Sequence, residues 1–560
     1  MEGYMSKLEI VPLGGMGQVT QNMYLYVYED EILIVDCGIG FPDNYMPGVD
    51  ILIPDVFYLN QLLDQGKKIV GLVLTHGHDD HIAALPYILP ELPQQDFPIF
   101  GSPLTAGFAE QRMSDGGVNR TVTVTRDHQT YKVGQHFKIT PYAVTHSVPD
   151  TKHFAIETPE GLIYHGSDFK LDDTPVDGVL PDYEGFAELG KKGVLCMLVD
   201  CLRVERQEWT KSESTTGPAI EKLMAETKGK FVITLMSSHI HRIQQTINAA
   251  KQHRRKVVFI GRSIEQNMDV AMDLQLVSIP QGMLIDKRDL DNYRDDELCV
   301  MIAGSQGQEG SSMVRAIFGE HRSIQISPSD VVVFSADAIP GNELNYFRSI
   351  DELSRNKIHV LYPDVVPELH RSGHASAPEQ KKLVELINPQ YVMPIGGADR
   401  HRTKFEEFVA KPLGMDTKQV LLPKSGDVVS FSQGKLSISP EFVIRLQTVD
   451  GKGIGDVGPV VLNDRRALSE AGMIVIVIPR QKGKLQLDQT MVISRGFVFM
   501  KEADEVIQFI KEQTAQAAQG LKGKDNDYKL RQAIEKRLSK SLFKIIRREP
   551  LIVPVIFDVN

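Results

Sequence analysis

The chain has 560 residues and a mass of 62.6 kDa, a length that corresponds to roughly three or four domains of about 150 residues each. Hydrophobic residues make up 42% and charged residues 24% of the sequence, which excludes a disordered, collagen-like or disulfide-scaffold chain. Acidic residues (73) exceed basic ones (62), giving a net charge of −11. This balance argues against non-specific nucleic-acid binding, but it leaves room for a local basic groove.

The sequence predicts a cytoplasmic protein that does not enter a membrane. No apolar run approaches the roughly 18 residues of a membrane helix, and the longest, such as 473–479, have the length of a strand. The N-terminus lacks the apolar stretch and cleavage site of a signal peptide. The four scattered cysteines form no CxxC pair and are interpreted as buried thiols: Cys37, Cys196, Cys201 and Cys299.

The first two hundred residues are predicted to form a mixed α/β unit. Residues 7–40 alternate apolar runs with glycine-rich turns, which is typical of a β-meander. From Lys68 the apolar strand KIVGLVLT precedes the helix-period segment HIAALPYILPEL. After Cys201, apolar strands that each end in a Gly/Ser turn alternate with helical segments. This repeat predicts a doubly wound parallel sheet with ligands at the carboxyl ends of its strands.

Towards the C-terminus a helix at 378–386 and the strand QYVMPIGG precede a glycine-rich stretch, 451–458, that is predicted to be a linker. The last hundred residues are predicted to form a separate α/β unit with two long amphipathic helices. Residues 529–548 carry eight basic residues and one acidic residue. Their apolar stripe, Leu530, Ile534, Leu538, Leu542 and Ile545, favours a domain core or a dimer contact over an RNA groove.

The motif THGHDDH, residues 75–81, is the sharpest chemical signal of the sequence. Imidazole and carboxylate ligands together suit zinc or manganese, although a chance polar loop or one structural metal are alternatives. His146 and Asp168 each follow a predicted strand, where a lone polar residue is usually a turn or cap residue. Together with the motif they complete a two-metal set that Asp168 can bridge.

These motifs resemble the metallo-β-lactamase fold, and Asp36 in IVDCG matches its first acidic motif. The inserted unit resembles a β-CASP domain. The whole chain resembles ribonuclease J through segments such as LGGMGQVTQNMYLY, THSVPDT, GSDFKLDDTP, SSHIHRIQQ, GSQGQEGSSM, RSGHASAPEQ and GDVGPVVLNDRRALSE. The resemblance implies an α/β fold: a metallo-β-lactamase αββα sandwich with an inserted doubly wound β-CASP domain and a small C-terminal α/β domain.

The resemblance also implies domain boundaries. The metallo-β-lactamase domain would comprise residues 1–203 and 365–448, with the β-CASP domain, residues 204–364, inserted between them. A linker, 449–460, would precede the C-terminal domain, 461–560, which would help to build a homodimer or homotetramer.

Site residues follow from the resemblance position by position. One zinc would be held by His76, His78 and His146, and the other by Asp80 and His81, with Asp168 shared. The implied catalytic residues are Asp80, Asp168 and His374, with His374 contacting the scissile phosphate and Asp200 matching the first β-CASP acidic motif. The implied substrate-binding residues are His370, Arg371, Ser372, Gly373 and His374, with Ser237, Ser238, His239, Arg242, Gly261, Arg262 and Ser263 around a terminal-phosphate pocket. This last group could equally be turns and helix caps.

One position departs from the family pattern. The strand before residue 396 would end in a histidine ligand of the second zinc, but the sequence reads PIGGADRHR and has Gly396 there. A weaker or exchangeable second metal is therefore expected, completed by water or by His401. The alternative for His401 is an ordinary surface histidine.

The resemblance implies a zinc-dependent ribonuclease with two Zn²⁺ ions per subunit, or Mn²⁺ or Mg²⁺ in their place. It would be a 5′→3′ exonuclease, and also an endonuclease, on 5′-monophosphorylated single-stranded RNA in mRNA decay and rRNA maturation. Its implied partners are RNA, further copies of itself and components of an RNA-degradation complex. Two alternatives remain open: a small-molecule metallo-hydrolase, and a non-catalytic or partner-dependent RNA-binding subunit.

Overall fold

The computed structural model describes residues 6–43, 45–339, 342–451, 453–497, 503–519 and 527–559. The chain divides into two compact units: residues 1–41 with 52–447, and residues 42–51 with 448–560. Across the described ranges, no helix has both the length and the hydrophobicity that crossing a membrane requires.

Eight strands form the first sheet of the larger unit. In spatial order they are Lys435–Pro440, Asp427–Ser432, Leu8–Pro12, Tyr24–Tyr28, Glu31–Val35, Lys68–Val73, Ile99–Gly101 and Thr123–Val124. Leu8–Pro12, Tyr24–Tyr28 and Glu31–Val35 pair antiparallel in turn, which confirms the predicted β-meander. Glu31–Val35 then runs parallel to Lys68–Val73, so the carboxyl ends of these two strands lie side by side.

Six strands form the second sheet. Their spatial order is Tyr391–Ile395, Val194–Asp200, Gly161–His165, Lys152–Thr158, Phe137–Ala143 and Tyr131–Val133. Tyr26 and Val35 of the first sheet share a buried cluster with Phe154 and Leu198 of the second, so the two sheets pack face to face. The other face of the second sheet is covered by helices that include Tyr183–Lys192 and Ala377–Ile387. The first three strands of the second sheet are mutually parallel, which places three carboxyl ends at one edge.

A five-stranded parallel sheet forms the inserted part of the larger unit, as the strand-turn-helix repeat predicts. Its order is Lys256–Ile260, Leu298–Ile302, Phe231–Thr234, Val331–Phe334 and His359–Leu361. The α-helices of this part are Thr216–Glu226, Ile240–Gln252, Arg262–Asp273, Ser312–Ile317 and Glu343–Arg355. The remaining α-helices of the larger unit are Phe57–Asp64, Asp79–Ile82, Leu85–Ile88, Pro103–Asp115 and Asp399–Phe405, and Met16–Gly17 pairs with Gly397–Ala398.

The smaller unit is built on the strand Met473–Gln481. It pairs in parallel with Leu551–Val559 and antiparallel with Lys484–Leu485 and Met491–Arg495. The α-helices of this unit are Pro459–Ala471, Ala503–Gln519 and Asp527–Ile546. Part of the strand predicted in MVISRGFVF, residues 498–499, lies outside the described residues.

The stretch predicted as a linker, 449–460, is more structured than the prediction held. Gln447–Asp450 and Gly453–Ile454 form a short antiparallel hairpin, and the following helix begins at Pro459. The physical reason is burial, because Val449 and Val457 are 2% and 6% exposed. Gly451 lies in the turn of this hairpin, Gly453 lies in its second strand, and Gly458 directly precedes the helix.

The apolar stripe of Asp527–Ile546 belongs to the core of the smaller unit. Leu530, Ile534, Leu538 and Leu542 are buried in one cluster with residues of the central strand, whereas Ile545 is 62% exposed. Of the two alternatives predicted for the stripe, the core interpretation is therefore correct for the first four positions. The four cysteines are buried and free, as predicted.

Replacing Leu538 with Ala is expected to lower the free energy of unfolding by about 2–5 kcal/mol, because it removes a fully buried side chain. The matched control on the same helix, Ile545→Ala, is expected to change it by less than about 0.5 kcal/mol. Chemical denaturation of the full-length chain measures both. Equal destabilisation by the two variants would contradict this assignment of the core.

Candidate metal centre

The loop after Lys68–Val73 is held in place by one buried carboxylate, Asp36. Asp36 follows the neighbouring strand with a left-handed backbone (φ +61°), so its side chain turns towards the loop. Its Oδ1 accepts the backbone N–H of Thr75 at 2.8 Å, and its Oδ2 accepts Nδ1–H of His81 at 2.7 Å. Nε2 of His81 is thereby the ring nitrogen that faces the other donors.

Three imidazoles and a carboxylate converge beside this loop. One donor atom from each of His76, His78, His146 and Asp168 lies within 4.8 Å of the others. Nε2 of His76 is buried and has no hydrogen-bond partner, and Nε2 of His146 lies 3.1 Å from Nδ1 of His78. Nε2 of His146 and Nδ1 of His78 face each other, and Nε2 of His76 has no partner. A divalent metal ion between them would satisfy all three nitrogens, so this donor set fits such an ion.

The protonation of these groups favours metal binding. Burial lowers the pKa of His78 to about 3 and holds the pKa values of His76 and His146 well below their usual range, so all three imidazoles are neutral ligands at pH 7. Burial would raise the pKa of Asp168, but the imidazoles of His81 and His374 outweigh it and hold that pKa well below its usual range. Asp168 is therefore ionised.

A second donor set shares Asp168. Asp80, His81 and Asp168 each offer a ligand atom within 4.8 Å of the others. Nε2 of His81 lies 3.6 Å from Oδ2 of Asp80 and 3.6 Å from Oδ2 of Asp168. This set holds two carboxylates and one imidazole, so it is poorer in nitrogen than the first set and has one donor fewer.

His374 lies on the other side of Asp168. Its Nδ1 pairs with Oδ2 of Asp200 at 2.8 Å, and its Nε2 lies 4.0 Å from Oδ2 of Asp168. Burial alone would lower the pKa of His374, but the carboxylates of Asp200 and Asp168 outweigh it and raise that pKa to about 9. The imidazole is therefore a cation at neutral pH, with Nε2–H directed towards the cluster.

Gly396 lies at the carboxyl end of Tyr391–Ile395, next to Asp168 and Asp200. A Cβ at this position would lie 3.7 Å from Oδ1 of each carboxylate, and the backbone is left-handed with φ +63°. A longer side chain at position 396 would point at the carboxylates of Asp168 and Asp200. Glycine therefore supplies no side-chain ligand at this edge of the metal-donor residues. Among the described residues, no metal-binding group that includes Asp168 draws a ligand from residues 396–401.

His401 does not complete the second donor set. It belongs to none of the metal-binding groups of the described chain, and the carboxylate nearest its Nε2 is that of Glu205 at 3.7 Å. The alternative of a surface histidine is also wrong, because His401 is 5% exposed. His401 is one of the buried residues of the helix Asp399–Phe405. It packs against Gly397, where an added Cβ would lie 3.1 Å from Cβ of His401.

The loop 370–374 closes over the first donor set. The carbonyl of Gly373 accepts Nδ1–H of His146 at 2.7 Å, which leaves Nε2 of His146 free. A Cβ at Gly373 would lie 2.7 Å from Oγ of Ser147 and 2.9 Å from Cε1 of His146. Only glycine lets this backbone approach the ligand histidine so closely.

Arg242 ties the same loop to the inserted sheet. Its guanidinium is fully buried, binds both carboxylate oxygens of Glu213 at 2.7–2.8 Å, and donates to the carbonyls of Ser335 and Arg371. Its Nη1 also lies 3.1 Å from Nδ1 of His370. Arg242 therefore holds the loop in place, and it has no surface open to a substrate.

The predicted phosphate-pocket residues lie at the N-termini of two neighbouring helices. Ser237 and Ser238 precede Ile240–Gln252, while Gly261, Arg262 and Ser263 begin Arg262–Asp273. Nδ2 of Asn267 donates to Oγ of Ser237 at 3.2 Å, which joins the two loops. His239 differs from its neighbours, because it is 2% exposed and its Nε2 lies 3.4 Å from Glu213.

One residue that sequence reasoning missed joins three segments of the site. The carboxylate of Glu379 is fully buried and accepts the backbone N–H groups of Leu171, Thr210 and Ser376 at 2.9 Å each. Leu171 lies in the segment after Asp168, Thr210 in the segment after Asp200, and Ser376 in the segment after His374. The capping-box pattern Ser376-x-x-Glu379 was the available signal, but it indicates only a helix start.

Comparisons with known proteins agree with this geometry. The chain matches the family descriptions "Metallo-beta-lactamase superfamily" over residues 16–160, "Ribonuclease J, beta-CASP domain" over residues 228–353 and "Ribonuclease J C-terminal domain" over residues 460–559. It is 34% identical to "Ribonuclease J 1" of Streptococcus pyogenes, with 98% of each chain covered. The chain belongs to the ribonuclease J family.

Two further relatives show the same full-length coverage within the ribonuclease J family. "Ribonuclease J" of Thermus thermophilus is 33% identical, with 99% of this chain and 96% of that protein covered. "Ribonuclease J2" of Bacillus subtilis is 30% identical, with 99% of each chain covered. A solved structure from Enterococcus faecalis, "Crystal Structure of a Protein of Unknown Function", aligns with a TM-score of 0.53 at 15% identity over 76% of this chain and all of that chain. This likeness concerns the fold alone.

Replacing Gly396 with His is expected to add a ligand next to Asp168 and to raise the metal retained after dialysis from about one to about two ions per chain. Inductively coupled plasma mass spectrometry measures the metal content. Gly396→Ala controls for the strain of a side chain at φ +63°, and His401→Ala controls for a neighbouring histidine; both are expected to keep the content of the unmodified chain. Two tightly held ions in the unmodified chain would contradict the weak second site.

Proposed function

We propose that this chain is a metal-dependent ribonuclease that degrades single-stranded RNA from a 5′-monophosphorylated end, with endonuclease activity as well. The observation that carries the proposal is the convergence of two metal-donor sets and the imidazole of His374 on one carboxylate, Asp168. Hydrolysis of a phosphodiester is accelerated by positive charge next to the phosphate oxygens and by an acid near the leaving oxygen, and this arrangement supplies both.

His76, His78, His146 and Asp168 would hold the first metal, and Asp80, His81 and Asp168 the second. Zn²⁺ suits the nitrogen-rich first set, and Zn²⁺ or Mn²⁺ suits the carboxylate-rich second set. When bound, two such metals supply a water of lowered pKa and neutralise charge on the phosphate oxygens. The Asp36 carboxylate and the Gly373 carbonyl fix the ring orientations of His81 and His146 for this role.

His374 would act on the phosphate. Its raised pKa of about 9 keeps Nε2 protonated at neutral pH, so it can donate a hydrogen bond to a phosphate oxygen and a proton to the leaving oxygen. Asp200 holds the ring through Nδ1 at 2.8 Å. His370, Arg371, Ser372 and Gly373 would line the backbone path of the RNA beside it.

The 5′-phosphate would bind at the paired helix N-termini formed by Ser237 and Ser238 with Arg262 and Ser263. Backbone N–H groups at helix starts and an exposed guanidinium suit a terminal phosphate. The link between Asn267 and Ser237 supports one joint pocket. His239 would act from behind this pocket, because it faces Glu213.

The wider assignments follow the same family membership. We propose a metallo-β-lactamase domain of residues 1–203 and 365–448, a β-CASP domain of residues 204–364 and a C-terminal domain of residues 461–560. We also propose assembly into homodimers or homotetramers and a cytoplasmic location. The cellular roles would be mRNA decay and rRNA maturation, with contacts to RNA-degradation partners. A small-molecule hydrolase is less favoured, because the family resemblance extends across the inserted and C-terminal parts. A non-catalytic subunit is less favoured because both donor sets are present.

A 5′-monophosphorylated single-stranded RNA is expected to yield mononucleotides in the presence of Zn²⁺ or Mn²⁺, and the same RNA with a 5′-triphosphate is expected to react much more slowly at its end. His76→Ala is expected to abolish cleavage of both, because it removes a ligand of the first metal. Gel electrophoresis and chromatography of the products measure the two activities. No cleavage with any divalent metal, by a chain that still binds RNA, would favour the non-catalytic alternative.

Replacing His374 with Ala is expected to lower kcat by about 10²–10⁴-fold, because the proton donor is lost, while the metal content stays unchanged. His401→Ala is the matched control, a buried histidine outside the donor sets, and is expected to keep kcat within about twofold. Single-turnover cleavage of the monophosphorylated RNA measures both. Equal rates for the two variants would contradict the role of His374.

A further inference from the structure

Trp209 is the single tryptophan of the sequence, and it lies near the site with 44% of its side chain exposed. It belongs to the segment 201–212, which follows the strand Val194–Asp200 and forms no helix or strand of its own. Exposed apolar rings contribute little to folding stability. The exposed part of this ring is therefore available to a partner outside the chain.

The indole is fixed by two contacts next to the metal donors. Its Nε1–H donates to the carbonyl of Leu171 at 3.1 Å, three residues after Asp168. The neighbouring Thr210 donates through Oγ1 to the carbonyl of His374 at 3.1 Å. The segment that carries the ring is thus bonded both to the loop of the shared carboxylate and to the loop of the phosphate-contacting histidine.

The faces of the ring are free of the contacts that occupy other exposed rings of the same unit. The guanidinium of Arg445 lies 4.4 Å from the ring centroid of Phe57, and that of Arg348 lies 5.6 Å from the centroid of Phe318. Within the described ranges, no aromatic ring stacks on Trp209 and no cationic group lies over it. The exposed part of the indole is an aromatic surface on which a flat ligand can stack.

The charges around the ring suit a polyanion. Segment 203–211 holds three basic residues and two acidic ones in a chain of net charge −11. Arg206 and Lys211 are exposed on either side of Trp209, as is Glu208 directly before it. A ring flanked by cations offers a surface for a base and, beside it, partners for the adjoining phosphates.

We propose that Trp209 is a stacking platform for one nucleobase of the single-stranded RNA that enters the metal centre. The inference rests on the proposed ribonuclease function. Stacking needs only the π-face that every base has, so it would grip the strand without sequence preference. It would also place the neighbouring phosphate, because the segment of Trp209 donates to the carbonyls of His374 and of Leu171, three residues after Asp168.

Binding without cleavage tests the proposal. The probe is a 12-nucleotide single-stranded oligoadenylate with a 5′-monophosphate and a 3′-fluorescein, in buffer with EDTA, and fluorescence anisotropy of the full-length chain gives Kd. Companion probes carry one abasic nucleotide at successive positions. At one position the abasic probe is expected to bind the unmodified chain roughly tenfold more weakly.

Substitutions separate stacking from a structural role. Trp209→Leu is expected to weaken the all-base probe by the same roughly tenfold and to remove the effect of the abasic position, while Trp209→Phe retains most of both. The control is Phe57→Leu, an aromatic side chain of equal exposure, 44%, that is expected to leave Kd unchanged. Circular dichroism and metal content check that each variant is folded.

Because Trp209 is the sole tryptophan, the emission of the unmodified chain reports on this position alone and is expected to be quenched by an unlabelled oligoadenylate. Unchanged emission at saturating RNA, or an equal loss of affinity for base-bearing and abasic probes in Trp209→Leu, would overturn the stacking proposal. If the chain cleaves RNA but its binding shows no such base dependence, the stacking proposal is overturned and the proposed function is not. A chain that neither binds nor cleaves RNA would overturn the proposed function with it.

Discussion

The carboxylate of Asp168 is the group on which the rest of the site depends. Its Oδ2 lies 3.6–4.0 Å from Nε2 of four imidazoles, His76, His81, His146 and His374. Four imidazoles around one buried anion would be unstable if all were charged, and their surroundings set their protonation differently. Burial keeps His76 and His146 neutral, whereas Asp200 helps to keep His374 protonated. Burial would also lower the pKa of His81, but the carboxylates of Asp80, Asp168 and Asp36 outweigh it and hold that pKa well above its usual range. A metal in the second donor set must therefore displace a proton from His81.

A second layer of buried carboxylates holds these groups in place. Asp36 fixes the metal loop, Glu379 joins the segments after Asp168, Asp200 and His374, and Glu213 anchors Arg242 under the loop 370–374. A buried charge must keep its hydrogen bonds, because losing one leaves an unsatisfied group in a low-dielectric interior. Such contacts constrain loop geometry more strictly than apolar packing does.

The two sheets explain why residues far apart in sequence meet at one edge. Strands 31–35 and 68–73 of the first sheet end beside the metal loop, and strands 161–165, 194–200 and 391–395 of the second end beside Asp168. Parallel neighbours bring their carboxyl ends together. The helix Ile240–Gln252 of the inserted part supplies Arg242, which binds the loop carrying His374. The chain returns from the insertion to complete the second sheet with 391–395, and this return brings Gly396 to the centre.

Much of the fold could be predicted from the sequence, because alternating apolar strands and glycine turns are local patterns. The β-meander, the parallel sheet of the insertion and the two long C-terminal helices were predicted from such patterns. The donor residues of the HxHxDH motif were also readable, since they are contiguous. His401 was not, because its burial depends on a helix packing next to Gly397 that no local pattern encodes. The hairpin within 447–454 was missed for a similar reason, since glycines indicate a turn but not its pairing.

The sequence by itself determined which residue types were available and where strands and helices lie, since both depend on neighbours within a few positions. Only the tertiary structure decided that Glu379 ties three loops, that Arg242 is buried support, and that the ring of Trp209 remains open beside the site. These outcomes depend on contacts between residues tens to hundreds of positions apart. Such contacts arise from the packing of sheets and insertion as a whole, and no single segment specifies them.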